Sequence, residues 1–146
     1  MQITAKEFDE LTVSELYEII KSRAEIFTLE QNIICQDLDD MDYCSLHIFC
    51  TDNKRITAYL RAFYKDEDKT NVRVGRVLTL KHGTGLGKVL MTEAISEIKR
   101  RMPCEKITIN AQKYATGFYE KFGFRVVSDD FLEEGVVHVA MELKMN

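Results

Sequence analysis

A glycine-rich turn between an apolar strand and an amphipathic helix is the feature that most limits how this chain can fold. Residues 81–88 read Lys-His-Gly-Thr-Gly-Leu-Gly-Lys and follow the strand-like stretch 72–80. Apolar residues then recur at helical spacing as far as residue 102. Glycines allow a curled backbone whose N–H groups point inward, and a helix N-terminus adds a partial positive charge. The pattern therefore predicts either a site for an anion such as phosphate or an ordinary helix start.

The turn matches neither of two common nucleotide-binding motifs. A Walker loop needs Gly-x-x-x-x-Gly-Lys followed by Ser or Thr, and a dinucleotide fingerprint needs Gly-x-Gly-x-x-Gly. Here Gly83, Gly85 and Gly87 stand at every second position, and Val89 follows Lys88 where a magnesium-binding hydroxyl would be needed. Both motifs are therefore excluded.

The composition excludes several classes of protein. The chain has 146 residues, of which 45% are hydrophobic and 30% charged, which is typical of one globular domain over residues 1–146. No apolar run is long enough to cross a bilayer, and the first residues lack the apolar stretch of a secretory signal, so we expect a cytoplasmic protein without a membrane partner. The net charge of −4 and the dispersed basic residues argue against a nucleic-acid partner.

The cysteines suggest neither disulfides nor a metal site. None of the four, at positions 35, 44, 50 and 104, forms a Cys-x-x-Cys pair, and we expect reduced thiols. Cys44, His47 and Cys50 are spaced by three, so they would not share one strand face, and a fourth ligand is lacking. We therefore predict no metal.

Hydrophobic periodicity predicts an α+β fold. Thr12 and Glu15 form a capping-box pattern before a first helix, and Gly123 closes a third one. The predicted helices cover residues 13–30, 86–102 and 114–122. The predicted strands cover residues 3–8, 45–51, 55–64, 72–80, 105–111, 124–127 and 136–143. We expect a central mixed, mostly antiparallel sheet flanked by helices, with a polar loop over residues 31–43.

A second motif lies about thirty residues beyond the glycine turn. Residues 115–124 read Ala-Thr-Gly-Phe-Tyr-Glu-Lys-Phe-Gly-Phe and resemble the A-x-x-F-Y-x-K-x-G-F signature of the GNAT acyl-CoA-dependent N-acetyltransferases. In that family the glycine turn holds the pyrophosphate of coenzyme A, and Gly85 and Gly87 occupy its two small positions. The resemblance implies a GNAT-like fold and acetyl-CoA or coenzyme A as cosubstrate.

The front of the chain is similar to the ElaA-like branch of that family, whose pattern is R-x-x-x-F-x-x-E-Q, then D-x-x-D, then H. The matching residues are Arg23, Phe27, Glu30, Gln31, Asp39, Asp42 and His47. Some positions depart from the family. His82 replaces the usual Arg or Gln, and the loop before Gly85 is about two residues shorter. Residues 33–35 read Ile-Ile-Cys instead of Cys-Pro-Tyr, and Asp40 replaces a glycine. The first two departures affect which backbone groups contact the pantetheine of coenzyme A. The last two affect the choice of acceptor.

The resemblance places the cofactor along the turn and the preceding strand. Backbone N–H groups of residues 83–88 would bind the pyrophosphate, the edge of the strand near Leu78 would pair with the pantetheine amides, and an N–H there would stabilise the oxyanion. The predicted cofactor-binding residues are Val77, Leu78, Thr79, His82, Gly83, Thr84, Gly85, Leu86, Gly87, Lys88, Gln112 and Tyr119.

Three residues are the predicted catalytic groups. Tyr119 resembles the family tyrosine that protonates the departing thiolate, although a core tyrosine beside Phe118 and Phe122 is the alternative. A base must also take a proton from the attacking amine. The candidates are Glu30 and His47, with His138 third, and each could instead be a hydrogen-bonded structural residue.

Two charged groups bear on the acceptor. The acidic run at residues 37–42 could attract a cationic amine or form a solvated loop, and Arg23 and Arg61 could bind a carboxylate or pair with aspartates inside the fold. We predict an enzyme that moves an acetyl group to a primary amine of a small molecule or peptide by direct attack in a ternary complex. The alternative is a non-catalytic acyl-CoA-binding sensor or interaction module, and a homodimer remains open as the oligomeric state.

Overall fold

The computed structural model describes all 146 residues and contains an open eight-stranded sheet. The strands are β1 (Gln2–Glu7), β2 (Leu46–Asp52), β3 (Arg55–Tyr64), β4 (Asn71–Thr79), β5 (Lys106–Gln112), β6 (Arg125–Val126), β7 (Phe131–Glu133) and β8 (Val136–Lys144). The helices are α1 (Val13–Arg23), α2 (Leu86–Arg101) and α3 (Thr116–Glu120). The strand order is β1-β2-β3-β4-β5-β8-β6, with β7 also paired to β8. Only the β4–β5 pair is parallel, so the predicted mixed, mostly antiparallel sheet is confirmed.

Helix α1 begins as the capping box predicts. The Thr12 hydroxyl accepts a hydrogen bond from the Glu15 N–H at 3.0 Å, and the Glu15 carboxylate accepts one from the Thr12 N–H at 2.9 Å. Beyond Arg23 the chain continues as a π-helix, Ala24–Glu30, so the prediction of one regular helix to residue 30 is wrong in this part. The wider turns end in a hydrogen bond from the Gln31 N–H to the Ile26 carbonyl oxygen.

The sheet is covered on both faces. Alternate residues of β3, Ala58, Leu60 and Ala62, belong to a core of 20 buried residues that includes the apolar stripe of α2. Tyr59 points to the opposite face and joins a smaller core with Ile19 and other residues under α1. Because side chains alternate along a strand, α1 and α2 lie on opposite faces and bury β3 from both sides.

The two parallel strands separate after a short contact. β4 and β5 pair only from Asn71 with Lys106 to Val74 with Ile109. At Arg76 the backbone adopts a φ of 53°, and the register between β3 and β4 shifts nearby. From Gly75 onward the edge of β4 that faces β5 has no strand partner. The carboxyl ends of the two strands therefore form an open gap, which is where ligands bind in many sheets.

Two general features complete the fold. None of the helices has both the length and the apolarity required to span a bilayer. The four cysteines are free thiols, and no cluster of three His, Cys, Asp or Glu side chains is arranged to hold a metal ion.

Candidate active site

A cavity of about 780 Å³ fills the gap between β4 and β5. Its walls come from the glycine turn, the first turn of α2, the free edge of β4, α3, the loop after α1, and the β7–β8 hairpin. The two sequence motifs, residues 81–88 and 115–124, thus meet at one cavity. This volume is in the usual range for a small-molecule site.

The glycine turn leaves the N-terminus of α2 open. Helix α2 begins at Leu86, as predicted, after Gly85, whose φ is 78° and which provides no side-chain cap. The N–H groups of the first helical turn have no acceptor within the helix, and the nearest side-chain contact is a long one, 3.4 Å from the Leu86 nitrogen to the Thr84 hydroxyl oxygen. These donors line the cavity together with four basic side chains, those of Lys81, His82, Lys88 and Lys121. The arrangement suits an anion.

A close helix contact joins the two motifs. A Cβ added to Gly87 would lie 3.4 Å from the Phe118 ring and 3.7 Å from the Thr79 side chain. The absence of a side chain at Gly87 therefore allows α3 to pack against the first turn of α2. Tyr119, which follows Phe118 in α3, lines the same cavity as the glycine turn.

The free edge of β4 forms another wall. Val77, Leu78 and Thr79 line the cavity, and on the side facing β5 their backbone groups have no strand partner. An extended ligand with amide groups can pair with such an edge as an added strand would. Gln112, at the end of β5, faces them across the cavity and donates a hydrogen bond to the Gln31 side chain at 2.9 Å.

Tyr119 lies in the cavity wall with 6% of its surface exposed. Its ring packs edge-on against Phe118 and Phe124, with centroids 5.1 and 5.9 Å away. Burial raises the pKa of Tyr119 well above the ordinary value. The phenol therefore stays protonated at neutral pH, and no protein group is hydrogen-bonded to it, so it is available as a proton donor to a ligand.

Glu30 lies at the rim of the cavity, outside its lining. Its carboxylate is 3.0 Å from Nε2 of His82, which lines the cavity, and both side chains are exposed. The structure thus links two predicted site residues to each other, across the entrance to the glycine turn.

The structure does not support His47 as a base. His47 is fully buried and lies outside the cavity. Its Nε2 is 2.9 Å from the Asp42 carbonyl oxygen, which can only accept, so Nε2 carries the proton and Nδ1 accepts from the Tyr59 hydroxyl at 2.7 Å. Burial lowers the pKa of His47. Both ring nitrogens are occupied, and none is left for an amine.

Three of the four aspartates in the acidic run, Asp37, Asp39 and Asp42, are paired with arginines of the fold. Asp42 lies between Arg23, at 2.7 Å, and Arg61, at 3.0 Å. Hydrogen bonds from Arg61 hold the pKa of Asp39 at about 2. Arg23 and Arg61 therefore take the second of the two predicted roles, pairing with aspartates inside the fold.

A third arginine completes this network from the sheet. Asp37 accepts hydrogen bonds from Arg23 and from Arg76, both at 2.9 Å. Arg76 is the residue of β4 with positive φ, so the strained position is tied directly to the loop. Asp40 also has a positive φ, 69°, a backbone conformation that favours glycine.

Sequence reasoning missed most of the polar floor of the cavity. Glu133 accepts a hydrogen bond from the Asn110 amide at 3.3 Å and lies 3.5 Å from Nε2 of His138, whose Nδ1 donates to the Val136 carbonyl oxygen at 2.7 Å. Glu133 belongs to β7, a three-residue strand that was not predicted. The sequence signal that could have predicted this hairpin is Gly135 in a two-residue turn. In the structure both turn residues, Glu134 and Gly135, have positive φ, as a tight hairpin requires.

Comparisons with known proteins agree with this geometry. A family model described as an acetyltransferase (GNAT) domain matches residues 9–145. Protein ElaA of Escherichia coli is 32% identical over 136 residues, which cover 90% of this chain and 89% of ElaA. A UPF0039 protein of Schizosaccharomyces pombe is 32% identical over 99% of this chain and 98% of its own length.

Solved structures agree as well. The crystal structure of Escherichia coli ElaA matches with a TM-score of 0.90 and 30% identity over 97% of both chains. An acyl-CoA N-acyltransferase from Pseudomonas aeruginosa matches with a TM-score of 0.90 and 29% identity, also over 97% of both chains. These matches include both sequence motifs and confirm the resemblance on which the predictions rest.

Proposed function

Because the chain belongs to the GNAT acetyltransferase family and resembles its ElaA-like members, we propose that it moves an acetyl group from acetyl-CoA to a primary amine of a small molecule or peptide. The observation that best supports the proposal is the cavity between β4 and β5, where an uncapped helix N-terminus, a free strand edge and a protonated tyrosine meet. The activity implied by the Pseudomonas relative's name, acyl-CoA N-acyltransferase, is of the same kind.

In this proposal the cavity binds acetyl-CoA along its length. The pyrophosphate lies on the N–H groups of residues 83–88, beside the basic side chains at the entrance. The pantetheine amides pair with the free edge of β4 at Val77, Leu78 and Thr79. The thioester then reaches Tyr119. Most contacts are made by backbone groups, so the family's Arg or Gln can be replaced by His82 without loss of the phosphate site.

The chemistry is a direct acyl transfer. The amine nitrogen attacks the thioester carbonyl carbon, a backbone N–H near Leu78 stabilises the oxyanion, and the carbon–sulfur bond breaks. Tyr119 gives its proton to the departing thiolate. Of the predicted bases, only His138 lines the cavity. Since its Nδ1 donates to a backbone carbonyl, Nε2 is free to take the amine proton, and Glu133 beside it stabilises the resulting cation.

Replacing Tyr119 by Phe tests the catalytic role. The substitution removes one hydroxyl and keeps the ring packing, so we expect kcat to fall about 100-fold or more while the Kd for acetyl-CoA stays unchanged. Release of the coenzyme A thiol is followed with a panel of amines that includes lysine, spermidine and short peptides. Tyr17→Phe, on the exposed face of α1, is the matched control. Equal turnover by the Tyr119 variant would contradict the assignment.

A binding measurement separates the enzyme from the alternative of a non-catalytic acyl-CoA sensor. A ligand at one hundred times its Kd adds about 2.7 kcal/mol to the free energy of unfolding. We expect acetyl-CoA and coenzyme A, but not ATP, to raise the melting temperature. Stabilisation without thiol release for any amine would favour the sensor, and no stabilisation by either coenzyme A species would overturn both.

A further inference from the structure

One arginine in the cavity has no carboxylate partner. Arg73 lies on β4, two residues before the strands separate, and lines the cavity while being half-buried. Its Nε donates a hydrogen bond to the Thr108 hydroxyl at 3.1 Å. No carboxylate oxygen comes within 4.0 Å of its nitrogen atoms. The Nε bond to Thr108 is its one side-chain hydrogen bond, so its two terminal nitrogens have no partner within the protein.

The other arginines of this chain are all neutralised. Each contacts a carboxylate directly, including Arg61 and Arg76 on the neighbouring wall; the full set is Arg23, Arg55, Arg61, Arg76, Arg100, Arg101 and Arg125. Burial lowers the pKa of Arg73, and only Glu133, beyond contact distance, opposes that effect. A half-buried guanidinium with free N–H donors is an electrostatically incomplete site, and its planar fork fits a carboxylate.

The nearest acid does not complete the site. Glu133 is already bonded to Asn110 and lies next to His138. The phosphates of the cofactor do not reach Arg73 either, because they would lie at the far end of β4. Six residue steps separate Arg73 from Thr79, which is about 20 Å along a strand. The remaining source of an anion is the acceptor.

Resting on the proposed function, we infer that the acceptor is an amino acid or short peptide with a free carboxylate, and that Arg73 binds this carboxylate. Arg73 and Gly75 are separated by one pleat of β4, about 7 Å, and Gly75 is the first residue beyond the β4–β5 pairing. An acceptor whose carboxylate and amine are a few bonds apart spans that distance. Its amine then lies at the gap, in the cavity that His138 and Glu133 also line.

Matched pairs of acceptors test the inference. The probes are β-alanine, lysine and glycylglycine, each compared with its carboxamide, with acetyl-CoA as donor and thiol release as readout. We expect kcat/KM to be at least about 10-fold higher for a free acid than for its amide. Arg73→Gln should lower kcat/KM for the acids by about 10- to 100-fold, mainly through KM, because hydrogen bonds to charged groups contribute that much, and should leave the amides unchanged.

Two further variants and one binding measurement make the result specific. Arg73→Lys, which keeps the charge but not the fork, should recover part of the preference for acids. Arg55→Gln is the control, because Arg55 pairs with Glu25 outside the cavity. This variant should use acids and amides as the original protein does. Equal use of acids and amides, or an equal loss of both in Arg73→Gln, would overturn the carboxylate site. If acetyl-CoA fails to stabilise the unmodified protein, the proposed function itself fails, whereas Arg73→Gln should keep its affinity for acetyl-CoA.

Discussion

Asp42 is the residue that joins the loop after α1 to the sheet. Its carboxylate accepts hydrogen bonds from two buried guanidinium groups, Arg23 of α1 and Arg61 of β3. Burial alone would raise the pKa of Asp42, but these two arginines lower it, so the carboxylate stays ionised. Removing this carboxylate from the buried set leaves one positive charge in excess, even though Arg23 and Arg61 keep their other partners, Asp37 and Asp39.

Asp42→Asn should therefore destabilise the protein strongly. We expect the free energy of unfolding in urea to fall by about 3–5 kcal/mol, because two buried cations would lose the carboxylate they share. Asp130→Asn is the matched control, since Asp130 pairs with Lys113 on the surface and such pairs contribute about 0–1 kcal/mol. A loss at Asp42 no larger than at Asp130 would show that the network does not stabilise the loop.

At the scale of elements, the glycine turn combines a backbone requirement with a binding role. Gly85 has a φ of 78°, which side chains disfavour, although a Cβ there would meet no other atom. Its conformation directs the first N–H groups of α2 toward the cavity. The requirement is therefore conformational and not steric.

Gly85→Ala should affect both stability and binding. We expect a loss of about 1 kcal/mol in the free energy of unfolding from the left-handed backbone, and weaker binding of acetyl-CoA because the first helical turn shifts. Gly117→Ala is the control: Gly117 lies in α3, a Cβ there also meets no atom, and alanine favours the helix. Urea unfolding and calorimetric titration with coenzyme A measure the two effects. Equal behaviour of the two variants would contradict this view of the turn.

The elements that sequence reasoning predicted are those with a strong local signal. The capping box at Thr12, the apolar stripe of α2 and the alternation of apolar and polar residues along β5 each specify one element, and the structure contains all of them. The three-residue β7 was missed because it is too short for periodicity to detect. The separation of β4 from β5 could not be predicted from local sequence patterns, since it depends on which strands pair and where a bulge interrupts them.

The same distinction applies to the site. The motif predictions concern backbone positions at 77–88 and Tyr119, and the structure brings those residues together in one cavity. Arg73 and Glu133 belong to strands that are distant in sequence and meet only in the folded sheet, so no motif contains them. His47 followed a family pattern, and only its burial and its two hydrogen bonds show that the histidine is structural.

At the scale of the whole molecule, the buried polar groups make stability depend on pH. His47 is packed among Asp42, Arg23, Arg61 and Tyr59, and burial is the main cause of its lowered pKa. Below the ordinary value of 6.5 the unfolded chain therefore binds a proton that the folded protein does not. Stability falls as the pH drops from 6.5 toward the pKa of the folded state. One proton changes the free energy of unfolding by at most about 1.4 kcal/mol per pH unit.

Unfolding in urea between pH 7.5 and pH 5 tests this effect. The original protein should lose stability across this range. His47→Gln should be less stable at pH 7.5, because two buried hydrogen bonds change, but its stability should vary less with pH, because the titrating group is gone. His82→Gln, at an exposed site, should keep the original pH dependence. At lower pH both variants should lose further stability between pH 3.8 and about 2, where Asp39 protonates in the folded state and releases Arg61. If His47→Gln kept the full slope above pH 5, the buried imidazole could not be the group that links folding to pH.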